Sequence, residues 1–310
     1  MTGSSLPRAY RPTVRSAAVL VALVLVLLPA DAEARRRPRP VIISAPKLVN
    51  YRADIKIVGK LRHGRKGQQV LLKRRYVGVG REVIRKKSVR GDLKVKFFLR
   101  DVTRSADYRL VFKPRDGRKR VSEAARVNVR PKLVFEVEPN DIKGGRRPRF
   151  FGTMNPKVGG RVVRILMRVD GDWKLIRKVD VGDGVFSGRF RPEVRGRREM
   201  RAVFTGDELS WPTKRKERLW IYRRAEATWY GPGFYGETTA CGQTLRKRTL
   251  GVAHRTLPCG TLVDFLFKGR TVSVKVIDRG PFGEADWDLT KATKDRLHFA
   301  GRDEVGFIAH

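Results

Sequence analysis

Apolar and polar residues alternate with a period of two along most of this chain. Gln69-Val70-Leu71-Leu72-Lys73, Leu93-Lys94-Val95-Lys96-Phe97 and Val162-Val163-Arg164-Ile165-Leu166-Met167-Arg168-Val169 are the clearest stretches. Such alternation predicts short, half-buried β-strands. Turn formers punctuate them at Arg90-Gly91-Asp92, Val169-Asp170-Gly171-Asp172 and Gly182-Asp183-Gly184. Further on, Thr261–Phe267 and Thr271–Ile277 flank Lys268-Gly269-Arg270, which reads as a hairpin. One segment breaks the pattern. Ala17 to Leu28 is continuously apolar, preceded by Arg8, Arg11 and Arg15 and followed, after Pro29, by Ala30-Asp31-Ala32-Glu33-Ala34. A basic start, a short apolar run and an A-x-A site predict a secretory signal peptide over residues 1–34, cleaved after Ala32 or Ala34. The run falls short of the roughly 20 residues a spanning helix needs. An uncleaved anchor or a buried helix is the competing reading. No cysteine lies at the cleavage site to take a lipid anchor, so the expected product is secreted, without a mature transmembrane helix.

The strand pattern repeats. Gly59 and Gly67 recur as Gly152 and Gly160, Ile84-Arg85-Lys86 as Ile176-Arg177-Lys178, Phe97 as Phe190, and Arg109 and Phe112 as Arg201 and Phe204. The shifts are 92 or 93 residues, and several anchors at one spacing indicate an internal duplication. Short strands over about 90 residues suggest a small β-sandwich, so the pair is similar to tandem immunoglobulin-like modules of exported bacterial proteins, over residues 41–130 and 131–222. A Cys…Trp…Cys core is missing, which limits the resemblance to architecture.

Charge changes the picture next. The chain of 310 residues has 70 Lys+Arg against 31 Asp+Glu, a net charge of +39. Residues 225–310 contribute only +2 and residues 1–224 the other +37. That break near Arg224 predicts a domain boundary, and Arg35-Arg36-Arg37-Pro38-Arg39-Pro40 reads as an extended basic arm over residues 35–40. On the sandwiches the cations fall on the polar side of the alternation, as in Arg109-Leu110-Val111-Phe112. They are either an ordinary solvated face or a footprint for an anionic partner, which outside the cell would be an anionic wall polymer or a membrane surface. Nucleic acid is not expected, given export and the scarcity of aromatics among these charges. Two cysteines exclude a disulfide-dense scaffold and a four-thiolate zinc site.

The most specific signal is C-terminal. In order come Ala227-Thr228-Trp229-Tyr230-Gly231-Pro232-Gly233, Thr239-Ala240-Cys241-Gly242-Gln243, Val252-Ala253-His254-Arg255-Thr256-Leu257-Pro258-Cys259-Gly260-Thr261, Asp278-Arg279-Gly280-Pro281-Phe282 and Asp288-Leu289-Thr290. This region, residues 225–310, resembles the RlpA-like family of double-psi β-barrels, peptidoglycan lytic transglycosylases and their relatives. The resemblance covers about a quarter of the chain and says nothing of residues 41–222. The fold class expected is therefore all-β: two tandem immunoglobulin-like β-sandwiches followed by a six-stranded double-psi β-barrel.

The resemblance implies peptidoglycan glycan strands as partner, no cofactor and no metal. A lytic transglycosylase can work with a single acid: it protonates the glycosidic oxygen, then helps the muramyl 6-hydroxyl close a 1,6-anhydro ring, with no water consumed. Asp278, at a strand end before a sharp Arg-Gly-Pro turn, is the expected catalytic acid, with a turn-capping carboxylate as its alternative. The neighbouring Arg279 opposes a raised pKa unless its guanidinium points away. The resemblance gives His254 an active-site role, against that of a hydrogen-bonded loop residue. Thr228, Trp229, Tyr230, Gln243, Arg279 and Phe282 are expected to bind substrate. Trp229, Tyr230, Phe234 and Phe282 could equally be barrel core. Asp288 reads as the N-cap of a short helix carrying Leu289, Ala292 and Leu297. Two departures stand out: the family's glutamate after the glycine of TA-x-G is Gln243 here, and its aspartate three residues on is Arg246. They make a non-catalytic, expansin-like wall-loosening protein the alternative function. Glu237 lies six residues early and is not taken as a substitute. Cys241 and Cys259, 18 apart in an exported domain, are expected to form a disulfide bracketing His254, a metal site with His254 being the alternative.

Overall fold

The computed structural model describes residues 37–115 and 117–310, so the expected export signal over residues 1–34 and the first residues of the basic arm lie outside them. Arg39 and Pro40 of that arm already belong to a strand, β1 (Arg39–Ser44), where Pro40 is buried opposite Leu61. A proline fits there because β1 is an edge strand, and its missing N–H breaks no ladder.

The first sandwich continues with β2 (Leu48–Asn50), β3 (Ala53–Arg62), β4 (Gln69–Arg75), β5 (Arg81–Ser88), β6 (Lys94–Val102), β7 (Ala106–Phe112), β8 (Arg120–Val121) and β9 (Ala125–Arg130). One sheet has the order β1-β3-β6, and the facing sheet β2-β9-β7-β4-β5, with β8 beside β7. The period-two pattern sends Ile57, Leu72, Phe97, Tyr108, Leu110 and Val127 into one core and leaves the cations outside.

The second sandwich repeats the plan with β10 (Lys132–Glu138), β11 (Asp141–Lys143), β12 (Arg149–Asn155), β13 (Arg161–Val169), β14 (Asp172–Val181), β15 (Val185–Arg189), β16 (Gly196–Phe204) and β17 (Thr213–Tyr230). Its sheets are β10-β12-β15 and β14-β13-β16-β17, and β11 lies parallel to β17 as β2 does to β9. The glycine anchors have two causes: Gly67 and Gly160 take positive φ, and Gly59 and Gly152 leave no room for a side chain. A Cβ on Gly59 would sit 2.2 Å from Leu110 Cδ1, and one on Gly152 would sit 2.1 Å from the Val134 carbonyl oxygen. The pairing of Phe97 with Phe190 does not survive the register. Ile57 faces Phe97 in the first module, whereas Phe150 faces Gly188 in the second. A large ring has moved from one strand to its neighbour, with Gly188 making room for Phe150, while both cores stay filled.

The modules are joined by more than chain continuity. The segment between β16 and β17 reaches back to the first sandwich: Ser105 N–H donates to the Leu209 carbonyl at 2.8 Å and Trp211 N–H to that of Val129 at 2.7 Å. Arg161, buried, holds this segment in shape. Its guanidinium donates to both Asp207 oxygens, to Ser210 Oγ at 2.7 Å and to the Pro156 carbonyl at 2.9 Å.

No linker separates the second sandwich from the C-terminal region. Strand β17 runs for 18 residues. It pairs with β16 up to Ile221, then exchanges partners and pairs with β22 (Asp303–Ala309) from Arg223 and with β21 (Trp287–Thr290) from Ala227. With β18 (Val252–Ala253), β19 (Leu262–Phe267) and β20 (Arg270–Asp278) these close a six-stranded ring, β17-β21-β18-β20-β19-β22 and back to β17. A closed ring leaves no edge to protect. Val263, Phe265, Val272, Val274, Val276, Trp287 and Leu289 fill it. The hairpin turn Lys268-Gly269 has positive φ at both residues, the type I′ geometry that two-residue hairpins favour. Ile277 is buried although its neighbour Val276 already faces the core; the β18–β20 register slips one residue there.

The single helix among the described residues, α1 (Lys291–Leu297), corrects one expectation. Its N-cap is Thr290, whose hydroxyl accepts from Thr293 N–H; Asp288 is not the cap. Strand β21 continues through Thr290, so Asp288 sits mid-strand opposite Thr228. Among the described residues no helix is long and apolar enough to cross a membrane.

Candidate functional site

A cleft of about 300 Å³ opens where β17, β20 and β21 end on the ring. Its walls include Tyr230, Glu237, Thr239, Asp278, Phe282 and Asp288. Three carboxylates therefore converge where the sequence suggested one.

Asp278 is the last residue of β20. Its Oδ1 accepts from Ala240 N–H at 2.9 Å and Arg279 N–H at 2.8 Å, which fixes the carboxylate at the cleft wall. The Arg279 guanidinium does point away: it donates to the Leu257 carbonyl at 3.0 Å, the His254 carbonyl at 3.3 Å and Cys259 Sγ at 3.4 Å. Arg279 thus clasps the neighbouring loop while still lining the cleft.

Asp288 is half-buried and accepts from Thr228 Oγ1 at 2.8 Å. Burial pushes its carboxyl above the ordinary aspartate value. The Thr228 hydroxyl opposes this, and the negative charge of Asp278 adds to it. Tyr230 faces the same charge. Burial of its hydroxyl together with Asp278 drives its pKa well upward, so it stays a neutral phenol. The pair Asp278/Asp288 therefore has unequal members, one fixed by two backbone donors and the other with its pKa raised by burial and by its neighbour's charge.

Glu237 is the cleft residue that linear spacing missed. It reaches the wall because residues 231–245 fold back on themselves, with Thr238 bridged to Thr244, Gly236 N–H donating to the Leu245 carbonyl and Leu245 N–H to that of Glu237. Gln243 and Arg246, the two departures from the family pattern, are exposed and lie off the cleft wall.

His254 does not line the cleft either. Its Nδ1 accepts from Thr256 N–H at 3.2 Å and Leu257 N–H at 3.0 Å, which leaves the ring proton on Nε2. The ring packs on Trp287 with centroids 4.4 Å apart. Burial, then the positive charges of Arg255 and Arg279, lower its pKa, so the imidazole is neutral near pH 7. In this structure His254 organises the loop from residue 254 to 257.

The aromatics divide. Trp229 packs against the barrel core with Lys294 Nζ 4.6 Å above its ring, away from the cleft. Phe282 is 92% exposed and Phe234 52% exposed, and both rim the opening; Phe234 also stands edge-on to Tyr230. Exposed rings beside carboxylates offer faces to a flat, hydroxylated ligand. Cys241 and Cys259 form a disulfide with Cα atoms 5.7 Å apart, which ties the loop holding Thr239 and Ala240 to the one holding His254. The bond removes the thiolates that a metal site with His254 would need.

Comparison with known proteins agrees with this geometry. Residues 223–305 match the family model for lytic transglycolase. The probable endolytic peptidoglycan transglycosylase RlpA of Synechocystis sp. is 52% identical over 58 residues, 18% of this chain and 18% of that protein. The endolytic peptidoglycan transglycosylase RlpA of Campylobacter jejuni is 50% identical over 74 residues, 23% of this chain and 27% of that one. The probable endolytic peptidoglycan transglycosylase RlpA of Aquifex aeolicus is 48% identical over 79 residues, covering 24% and 35%. The shared region thus spans about a third or less of each relative. The C-terminal quarter of this chain is an RlpA-like double-psi β-barrel domain. In outline the whole chain has a loose likeness, TM-score 0.39 at 13% identity over 82% of this chain and 73% of the other, to a tetra-tandem repeat from the extending region of a large adhesion protein.

Proposed function

We propose that the barrel cuts peptidoglycan glycan strands as a lytic transglycosylase, outside the cytoplasm, and that the sandwiches hold it on the wall. The observation that carries this reading is the unequal carboxylate pair in a cleft rimmed by exposed rings. Asp288, whose pKa burial and its neighbour's charge shift upward, acts as the acid and gives its proton to the bridging oxygen as the bond from the anomeric carbon breaks. Asp278, fixed by two backbone donors, acts as the base and takes the proton of the muramyl 6-hydroxyl as that oxygen closes on the anomeric carbon. The products are a free hydroxyl and a 1,6-anhydro ring. The proton now on Asp278 returns to Asp288 within the pair, and no water enters. Phe234, Phe282 and Tyr230 bear on the sugar faces.

Gln243 does not weaken this reading, since its exposed side chain stands off the cleft and Glu237 supplies a carboxylate there instead. The second reading, a barrel that binds and loosens wall glycan without cutting it, draws on the same exposed phenylalanines. Digestion of purified sacculi separates the two: release of 1,6-anhydromuropeptides supports cutting, while sedimentation with sacculi and no release supports loosening.

A further inference from the structure

A larger groove, about 830 Å³, lies between the two sandwiches. Arg130, Lys132, Lys214 and Arg215 line it together with Tyr51 and Phe204. No carboxylate lines it. Elsewhere on the sandwiches, acids neutralise many of the exposed cations: Glu82 pairs with Arg74, Asp107 with Arg75 and Arg126, and Glu199 with Arg168 and Lys216. The side chains of Arg130, Lys132 and Lys214 make no ion pair or hydrogen bond among the described residues, and Arg215 spends only its Nε, on the Leu133 carbonyl at 2.9 Å. Four cations held close without an acid repel one another, an arrangement that gains stability only when an anion enters.

We propose that this groove binds a linear phosphodiester polymer of the cell envelope. Arg130 and Lys132 are two apart in extended chain, so they meet the same wall at about 7 Å spacing, as a chain of repeating charges requires. The groove is open and lined by four cations, which suits a polymer passing through better than a single captured ion. A peptide-bearing glycan brings amines as well as carboxylates, and an acid-free groove repels the amines. A polyphosphodiester brings negative charge alone. The groove is also mechanically tied to the barrel: Lys214 and Tyr230 stand on the one strand β17, 16 residues and about 50 Å apart. A bound polymer therefore holds the cleft at a set reach.

The inference does not depend on the barrel's chemistry, and its test reads binding alone. The full chain is compared with the triple variant Arg130→Gln/Lys132→Gln/Lys214→Gln. A charge-matched control, Lys56→Gln/Lys60→Gln/Lys96→Gln, lies on the outer face of β3 and β6. Labelled poly(glycerol phosphate) is the probe, and polyglutamate of equal charge the comparison, with melting curves verifying the fold of each variant. The groove variant should bind the phosphate polymer at least about tenfold more weakly near physiological salt, with the slope of log affinity against log salt reduced by about 2. The control should lose less than about threefold, polyglutamate should bind the unaltered chain at least about tenfold more weakly, and Asp278→Asn should bind as the unaltered chain does. Equal losses in the two triple variants, no loss in the groove variant, or polyglutamate bound as tightly as the phosphate polymer would each overturn the proposal.

Discussion

The sandwiches and the barrel use charge in opposite ways. Upstream of residue 225 the chain holds +37, spread over strand faces and pooled in one acid-free groove; the barrel holds only +2 and gathers three carboxylates in one cleft. Strand β17 belongs to both. Its first half, Thr213-Lys214-Arg215-Lys216-Glu217-Arg218, is basic, and its last residues, Ala227-Thr228-Trp229-Tyr230, carry no charge. Holding with cations and cutting with carboxylates need different electrostatic surroundings, since nearby positive charge lowers the pKa of an acid that must keep its proton. Even the arginine beside Asp278 is turned away, into the loop. One strand thus joins two regions whose fields would interfere if they overlapped.

The comparison breaks most severely where an arginine of the sandwiches is structural rather than solvated. Arg161→Ala leaves Asp207 unpaired and frees the segment that joins the two modules, so it should cost about 3 kcal/mol or more, read by denaturant unfolding. A loss under about 1 kcal/mol would mean that the buried guanidinium is dispensable. Next comes the barrel's disulfide. Cys241→Ser/Cys259→Ser should lower barrel stability by about 3 kcal/mol through the loop it closes, and leave phosphate-polymer binding by the sandwiches unchanged. Calorimetry and the polymer assay read the two halves separately; lost polymer binding would show that the regions are not independent.

The smallest effect expected concerns His254. Its pKa in the folded state lies below the unfolded value of about 6.5, so the unfolded chain binds more protons in the window between them. Stability from this group is complete above about pH 6.5 and falls as pH drops toward the folded value. His254→Gln should flatten the rise in stability from about pH 5 to 7 relative to the unaltered protein. An unchanged slope would remove the imidazole from the loop's energetics.

Much of this architecture was legible because it is periodic. Alternation located β13, β19 and β20 to within about a residue, and the duplicated glycines marked a close approach at Gly59 and Gly152 and positive φ at Gly67 and Gly160. Where reading failed, a residue's neighbours come from distant chain. Asp288 looked like a helix cap because Asp before a short helix usually is one. Pairing with β17 instead extends β21 by two residues and turns that carboxylate toward Thr228 and the cleft. Glu237 carried no linear signal, since only the folded-back loop delivers it. His254 and Trp229 were identified with the site by their motifs, yet their partners are loop amides and a core tryptophan in one case and Lys294 in the other. Phe97 and Phe190 aligned by identity, whereas packing had exchanged the large residue across strands.

The central claim is that two unequal carboxylates share the proton work in the cleft. The most direct measurement is digestion of purified sacculi by the full chain, Asp278→Asn and Asp288→Asn, with 1,6-anhydromuropeptides quantified by mass spectrometry and sedimentation with sacculi measured in parallel. The account predicts that each variant sediments as the unaltered chain does and releases product at least about a hundredfold more slowly. Full release by either variant, or no release by the unaltered chain, would contradict it.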